Sequence, residues 1–151
     1  MTQKELNSLT AKLLPKILKA AQRLLKSKSP VQVEVSFIGP AKMKALNFEY
    51  RKKNYATDVL SFTAPEPFFS QGMLGELVIC GSVLVSQAKE AGHSPATELL
   101  VLLVHGVTHL MGFDHEISKK SFQAQLKCEQ KMFLLLKRKT RGLVDRSQAA
   151  E

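Results

Sequence analysis

Apolar and polar positions recur along this chain with two periods, and each period predicts a different kind of element. Between residues 4 and 28, leucine, isoleucine and alanine return every three or four positions with lysines opposite, which predicts a basic amphipathic helix. Residues 31–37, VQVEVSF, alternate and predict a strand with one buried face. TDVLSF at 57–62 and ELVIC at 76–80 predict two more strands, and the stretch 64–75 between them, with prolines and glycines, predicts a loop.

Helices are predicted for most of the remaining chain. Pro40 can open one helix, residues 82–91 form a second that Gly92 ends, and Ser94 can cap a third. The third helix carries ELLVLLVHGVTHLM, the most apolar run of the protein, and ends at Gly112. A last helix spans about 119–138, and its predicted inward residues are Phe122, Leu126, Phe133 and Leu136.

This order of elements predicts an α+β fold. We expect a single small domain over residues 1–151, built on a mixed β-sheet of about four strands with helices on at least one face. The basic helix at 4–28 lies at its N-terminal end, and the tail after about 142 is expected to be frayed. The chain shows no internal repeat and no low-complexity tract.

The net charge of +9 is concentrated at the two ends of the chain. Residues 1–30 and 119–146 are strongly basic, whereas residues 31–118 carry more acidic than basic side chains. This distribution suits a polyanion that is held at the periphery and presented to a central site. It also suits a pair of solvated helix faces, and charge alone does not separate these two interpretations.

Cysteine usage argues against a disulfide-stabilised protein, and hydropathy argues against a membrane-spanning one. Cys80 and Cys128 are far apart in sequence and form no C-x-x-C motif, so we expect two buried thiols in a reducing cytoplasm rather than a disulfide framework. No apolar stretch is long enough to span a membrane.

Three of the four histidines lie within HGVTHLMGFDH, residues 105–115. His105 and His109 are four residues apart, so a helix places both rings on one face, one turn from each other. Gly112 can end that helix in a left-handed conformation, and the chain can then bring His115 back toward the same point. Three imidazoles leave a fourth tetrahedral position open, which is typical of catalytic rather than structural zinc. The sequence therefore predicts a metal site on a central buried helix and the turn after it.

Asp114, beside this cluster, has an open role, and Gly106 limits the chemistry. Asp114 can hold a ligand imidazole through its outer N–H, or it can be an ordinary turn residue. His93 is isolated and is interpreted as a plain loop residue. Gly106 stands where peptidases with an H-E-x-x-H motif carry their general base, so peptide hydrolysis by that route is disfavoured.

These residues resemble a known family. HGVTHLMGFDH resembles the H-G-x-x-H-L-x-G-x-D-H signature of the YbeY family of endoribonucleases. LNFEYRKKNYATDVLSF (46–62) and LGELVIC (74–80) are similar to two further blocks of that family, in the same order. Thr108 stands where leucine is common in the family, and Phe113 where tyrosine is common.

The resemblance implies a zinc-dependent, single-strand-specific endoribonuclease. It implies a role in ribosomal RNA maturation, especially at the 3′ end of the small-subunit RNA, and in ribosome quality control. Its zinc ligands fall on His105, His109 and His115, and its functional arginine falls on Arg51. The implied partners are single-stranded RNA, ribosomal RNA and the small ribosomal subunit, in the cytoplasm, with neither a membrane nor a dinucleotide cofactor.

Weaker candidates surround these positions. Arg51 can grip phosphate oxygens in bidentate fashion, and Lys52 and Lys53 add charge beside it. In the strand at 57–62 we expect Val59, Leu60 and Phe62 to be packed in the core, which leaves Asp58 and Ser61 as minor candidates. Phe68 and Phe69, in the loop, can stack on bases, but we expect both to fill the core.

Two other functions remain as alternatives. One is a zinc metallopeptidase-like hydrolase, against which Gly106 is the main argument. The other is a ribosome assembly factor that contains a structural metal and has no enzymatic activity. Three histidines also accept nickel, cobalt or copper, so zinc is an expectation rather than a consequence of the ligand types.

Overall fold

The computed structural model describes residues 1–112 and 119–137, with the side chains of 119–122 excepted. Eight elements lie in this part of the chain, in the predicted order of helix, strand, helix, two strands and three helices. They are α1 (Gln3–Leu25), β1 (Gln32–Ile38), α2 (Pro40–Arg51), β2 (Val59–Thr63), β3 (Met73–Cys80), α3 (Gly81–Ala91), α4 (Pro95–Leu110) and α5 (Lys119–Leu136). The predicted frayed tail after residue 142 lies outside the described residues.

The described strands form one mixed sheet in the order β1-β3-β2. β1 runs parallel to β3, and β2 runs antiparallel to β3. The predicted α+β class is confirmed, whereas the predicted count of about four strands is wrong, because the described sheet has three. Pro65 and Pro67 lack the N–H that a strand needs, so the stretch after β2 forms turns until β3 begins at Met73.

Helices cover both faces of the sheet. The larger hydrophobic core joins α1, α4 and α5 to one face, where Leu13, Leu77 and Leu103 are fully buried. A smaller core lies on the other face, where Met43 of α2 packs with Leu60 and Val78. Val59 and Phe62 are half-buried against these cores, as expected for a packed strand.

The helix ends follow the predicted capping chemistry with small shifts. α1 ends at Leu25, before residue 28, because Lys26 adopts a left-handed backbone with φ of 54°. Ser94 caps α4 as predicted, since its Oγ accepts the Thr97 N–H at 3.1 Å. Gly112 follows α4 with a φ of 109°, which favours glycine. Cys80 and Cys128 are both buried, as predicted, and none of the described helices is long and apolar enough to cross a membrane.

The buried face of α5 differs from the predicted one. Leu136 is buried as expected, but Leu126 is 42% exposed, and Phe133 is only partly buried. The side chain of Phe122 lies outside the described residues. Among the α5 side chains that the structure describes, the buried ones are Gln125, Cys128, Met132 and Leu136. A polar glutamine therefore occupies a core-facing position, which an apolar pattern cannot reveal.

Candidate functional site

Helix α4 carries His105 and His109 one turn apart, and both side chains are half-buried. The helix is held directly against β3 at Gly106, where a Cβ atom would lie 2.7 Å from Cδ2 of Leu77. A larger side chain at position 106 would force Leu77 or the helix to shift. Packing therefore disfavours a glutamate there, and the two histidines lie on a helix that packs closely on the sheet.

The His105 ring is oriented by a carboxylate from another helix. Nδ1 of His105 lies 2.6 Å from Oε1 of Glu129 on α5, whose side chain is largely buried. Because a carboxylate oxygen can only accept, the proton of the imidazole is placed on Nδ1. Nε2 is then the nitrogen whose lone pair can bind a metal, and this arrangement is typical of metal-ligating histidines.

A second α5 residue borders the same ring. Gln125 is buried, and its Nε2 atom lies 3.4 Å from Nδ1 of His105. The contact with Glu129 is the shorter of the two and determines the position of the proton. Sequence reasoning missed both residues, since they are 20 and 24 positions away from His105. The one available signal is that Gln125 and Glu129 are four residues apart, and thus on one side of a helix.

The donor types fit zinc at this position. Two imidazole nitrogens on adjacent turns, with one ring held by a carboxylate, are ligands that Zn²⁺ accepts. Among the residues that the structure describes, no three His, Cys, Asp or Glu side chains gather closely enough to hold a metal ion. The third predicted ligand, His115, and its neighbour Asp114 lie outside these residues. At His105 the supporting carboxylate is that of Glu129.

Arg51 is the last residue of α2, and it is exposed. The preceding residue, Tyr50, packs its ring edge-on against Phe62 of β2, with the centroids 5.0 Å apart. Phe62 adjoins Thr63, which pairs with Gly75 of β3.

The last turns of α2 and α4 meet this end of β2 from opposite faces of the sheet. A Cβ atom on Gly75 would lie 2.9 Å from Cδ2 of Leu110, the residue after His109. Tyr50, before Arg51, contacts Phe62, which directly precedes Thr63, the last residue of β2 and the partner of Gly75. The structure thus brings the last turns of α2 and α4, which carry Arg51 and His109, to the same end of one edge of the described sheet.

Thr108 lies between the two histidines and is fully buried. Its Oγ1 atom has no hydrogen-bond partner among the described residues. A buried hydroxyl without a partner costs on the order of 1 kcal/mol or more. This position therefore lowers the stability of the packed helix α4 slightly.

The remaining predicted candidates have structural surroundings. His93 is not a plain loop residue, because its Nε2 hydrogen-bonds the largely buried carboxylate of Glu98 in the first turn of α4. Asp58 accepts from the backbone N–H of Val59 at 2.8 Å, which shapes the start of β2. Ser61 is half-buried in β2.

The two loop phenylalanines differ from each other. Phe69 packs against the larger core as predicted, whereas Phe68 is exposed, so the prediction for Phe68 is wrong. Phe68 and Phe69 are adjacent in a turn, and the structure directs only Phe69 toward the core.

Cys128, the residue before Glu129, carries a thiol whose ionisation is perturbed. Burial raises the pKa of the Cys128 thiol, and the charge of Glu129 raises it further, while Lys131 lowers it. The thiol therefore stays protonated at neutral pH and serves as a small apolar group in the core.

Comparison with known proteins places this geometry in a family context. The family model described as endoribonuclease YbeY matches residues 1–136. The chain is 44% identical over 104 residues to an endoribonuclease YbeY of Bdellovibrio bacteriovorus, covering 69% of this chain and 63% of that protein. It is 39% identical over 120 residues to an endoribonuclease YbeY of Thermodesulfovibrio yellowstonii, covering 79% of this chain and 76% of that protein.

A solved structure supports the same fold. The solution structure of a protein from Thermotoga maritima is 27% identical in sequence and superposes with a TM-score of 0.58. The superposition covers 91% of this chain and 88% of that one. The similarity therefore extends over the sheet and its helices, and is not confined to the histidine motif.

Proposed function

This chain belongs to the endoribonuclease YbeY family, and on that premise we propose that it is a zinc-dependent endoribonuclease that cleaves single-stranded RNA. The observation that carries the proposal is the 2.6 Å contact between Nδ1 of His105 and Oε1 of Glu129. This contact fixes the tautomer of a ring that lies one helical turn from a second histidine, His109, whereas His93 beside Glu98 has no second histidine on its turn. His105, His109 and His115 would hold the metal ion.

The chemistry divides between the ion and the side chains of the chain. A bound zinc ion would supply Lewis acidity and lower the pKa of water at the site. Glu129 would keep the proton of His105 on Nδ1, and Asp114 would serve another ligand in the same way. Arg51 would contact the phosphate group and stabilise the negative charge that builds up on its oxygens in the transition state.

We further propose that the substrate is ribosomal RNA, in particular the 3′ end of the small-subunit RNA. Participation in ribosome quality control, in the cytoplasm and on the small subunit, is part of this proposal. The net charge of +9, concentrated toward both ends of the chain, supports a polyanionic partner. Basic side chains far from the site would raise the rate of encounter with RNA.

Packing at Gly106 favours a nuclease over a metallopeptidase. The Cβ atom of a glutamate at this position would lie 2.7 Å from Cδ2 of the fully buried Leu77, so either this leucine or α4 would have to shift before the helix could carry the general base of an H-E-x-x-H site. An assembly factor without enzymatic activity is the remaining alternative, and it predicts ribosome binding without RNA cleavage.

The test combines RNA cleavage with metal content. Purified protein and its His109→Ala and His115→Ala variants are incubated with an unstructured, end-labelled RNA, and their zinc is quantified by mass spectrometry. We expect cleavage and about one zinc ion per chain in the parent protein, and neither in the two variants.

His93→Gln is the matched control, because it replaces the remaining histidine and keeps a hydrogen-bonding group for Glu98. It should keep both zinc and cleavage. Equal cleavage by parent and His115→Ala would indicate a contaminating nuclease. Zinc binding without cleavage in the parent would favour the assembly factor.

A further inference from the structure

Residues 48–55, which we name the aromatic–basic segment, are exposed along their whole length. Three large rings lie on it: Phe48 is 54% exposed, Tyr50 is 59% exposed and Tyr55 is 52% exposed. Single exposed apolar residues are common on proteins, but a group of aromatic rings within one short segment is typical of an interaction surface.

The structure holds this segment in place through buried groups. Asn47 is fully buried, and its Nδ2 atom donates to the backbone oxygen of Tyr55 at 2.9 Å. The N–H of Lys53 reaches the backbone oxygen of Asn47, and Lys52 takes a left-handed φ of 59° at the end of α2. The rings therefore project from a fixed turn, so little conformational entropy is lost when a ligand covers them.

Positive charge is interleaved with the rings. Arg51, Lys52 and Lys53 follow one another, and Glu49 is the one acidic residue of the segment. Nζ of Lys52 lies 5.9 Å from the centroid of the Phe48 ring. Flat aromatic faces beside cations match a partner in which flat bases alternate with phosphates, whereas an apolar protein surface would leave these cations without counter-charges.

The segment lies where a strand of RNA could continue into the histidine site. Tyr50 contacts Phe62 near the C-terminal end of β2, and Leu110, next to His109, reaches the same end from the other face of the sheet. A polymer that crosses the edge of β2 at this end would therefore contact both the aromatic–basic segment and the last turn of α4.

We propose that Phe48, Tyr50 and Tyr55 stack on unpaired bases of the RNA that the site cleaves, while the adjacent cations contact its phosphates. This inference rests on the proposed function and specifies how the substrate is held. Since every base has a face on which a ring can stack, the segment would select unpaired RNA without strong preference for sequence. Base-paired RNA would not satisfy it, because its bases are already stacked on each other.

The test compares two oligonucleotides with equal numbers of phosphates. One is an eight-residue 2′-O-methyl oligoadenylate, and the other carries abasic sites in place of its bases; gel analysis checks that both stay intact. We expect the parent protein to bind the base-bearing oligonucleotide about tenfold more tightly than the abasic one. Tyr50 and Tyr55 are the only tyrosines, and the chain has no tryptophan. Intrinsic fluorescence thus reports on this segment alone, and only the base-bearing oligonucleotide should quench it.

Variants assign the effect to the rings. In Phe48→Leu/Tyr55→Leu the preference for bases should fall to about twofold or less, while the salt dependence of binding should not change, because no cation is removed. Phe48→Tyr should keep the preference. Phe68→Leu is the matched control, since it removes an equally exposed ring outside the segment and should also keep the preference. Thermal unfolding checks that each variant is folded.

Several results would overturn the inference. They are equal binding of both oligonucleotides by the parent protein, an unchanged preference in the double variant, or an equal loss in Phe68→Leu. A surface that instead serves a protein partner would give an unchanged preference in the double variant. If RNA cleavage still depended on the histidines, these results would leave the proposed function intact. Base-dependent binding through the segment without any cleavage would support the inference and contradict the nuclease.

Discussion

Glu129 Oε1 lies 2.6 Å from Nδ1 of His105, so a carboxylate of α5 determines which nitrogen of an α4 imidazole carries its proton. The two residues are 24 positions apart, and the contact links two helices through the larger core. The relationship converts a half-exposed histidine into one with a fixed ring orientation. A ligand on Nε2 would meet a ring that is already aligned.

The first prediction concerns this carboxylate. Glu129→Ala should weaken zinc affinity about 10- to 100-fold, because the ring loses the partner that orients it and strengthens its basicity. Glu129→Gln keeps an acceptor oxygen and should weaken zinc affinity less. Competition with a zinc-binding dye measures the zinc affinity of both variants. Gln130→Ala, an exposed change on the next residue, is the control, and an equal loss in that variant would refute the specific role of Glu129.

The second prediction concerns the hydroxyl of Thr108, for which the described residues supply no hydrogen-bond partner. Thr108→Val keeps the shape of the side chain and removes this buried oxygen, so the free energy of unfolding should rise by about 1 kcal/mol. Urea denaturation measures the change. Thr10→Val is the opposite case, because Oγ1 of Thr10 donates to the backbone oxygen of Leu6 at 2.7 Å. It should lower the free energy of unfolding, and a shift of the same sign in both variants would contradict the argument.

Local chemistry explains which parts of the fold could be predicted from the sequence. The order of elements, the cap at Ser94 and the placement of His105 and His109 on one helix depend on residues close in the chain. Such features can be predicted without knowledge of tertiary contacts. The buried face of α5 cannot be predicted in this way, because Gln125 points inward toward His105 while Leu126 points outward.

The same distinction applies to the site. An H-x-x-x-H spacing indicates two ligands on one helix, but no local pattern indicates that Glu129 of a later helix supports one of them. His93 is a second example. It is isolated in the sequence, yet it contacts the largely buried carboxylate of Glu98, and the spacing of the two residues does not predict this contact. The supporting contacts of a site arise from helix packing, and a single sequence does not encode them as a visible period.

The third prediction concerns the N-terminus of α1. Glu5 accepts from the backbone N–H of Thr2 at 2.6 Å, and Oγ1 of Thr2 accepts the Glu5 N–H. The hydrogen bond from the Thr2 backbone N–H to the carboxylate, and after it one from the Thr2 side chain, favour the ionised form and lower the pKa of Glu5 below its ordinary value of 4.5. The resulting stabilisation is present above the unfolded-state pKa and is lost as the pH falls through the folded-state pKa.

NMR titration of the Glu5 side chain tests this prediction. The pKa should lie below 4.5 in the parent protein and should rise toward that value in Thr2→Ala, which removes the side-chain partner. Glu5→Gln should lack this component of the acid dependence of stability. A pKa at or above 4.5 in the parent protein would show that the capping box does not form in solution.

The fourth prediction concerns the contact that places α4 on the sheet. Gly106→Ala adds a Cβ atom that would lie 2.7 Å from Leu77, so either the helix or the leucine must shift. The free energy of unfolding should fall by about 1–3 kcal/mol, and zinc affinity should fall with it if the helix moves His105 away from Glu129. Gly39→Ala is the matched control, because a Cβ there meets nothing within 4 Å and the backbone φ of −77° suits alanine. Denaturant unfolding and dye competition measure the two effects. Unchanged stability in Gly106→Ala would mean that the space between α4 and β3 accommodates a larger side chain, so packing would not disfavour a glutamate at this position.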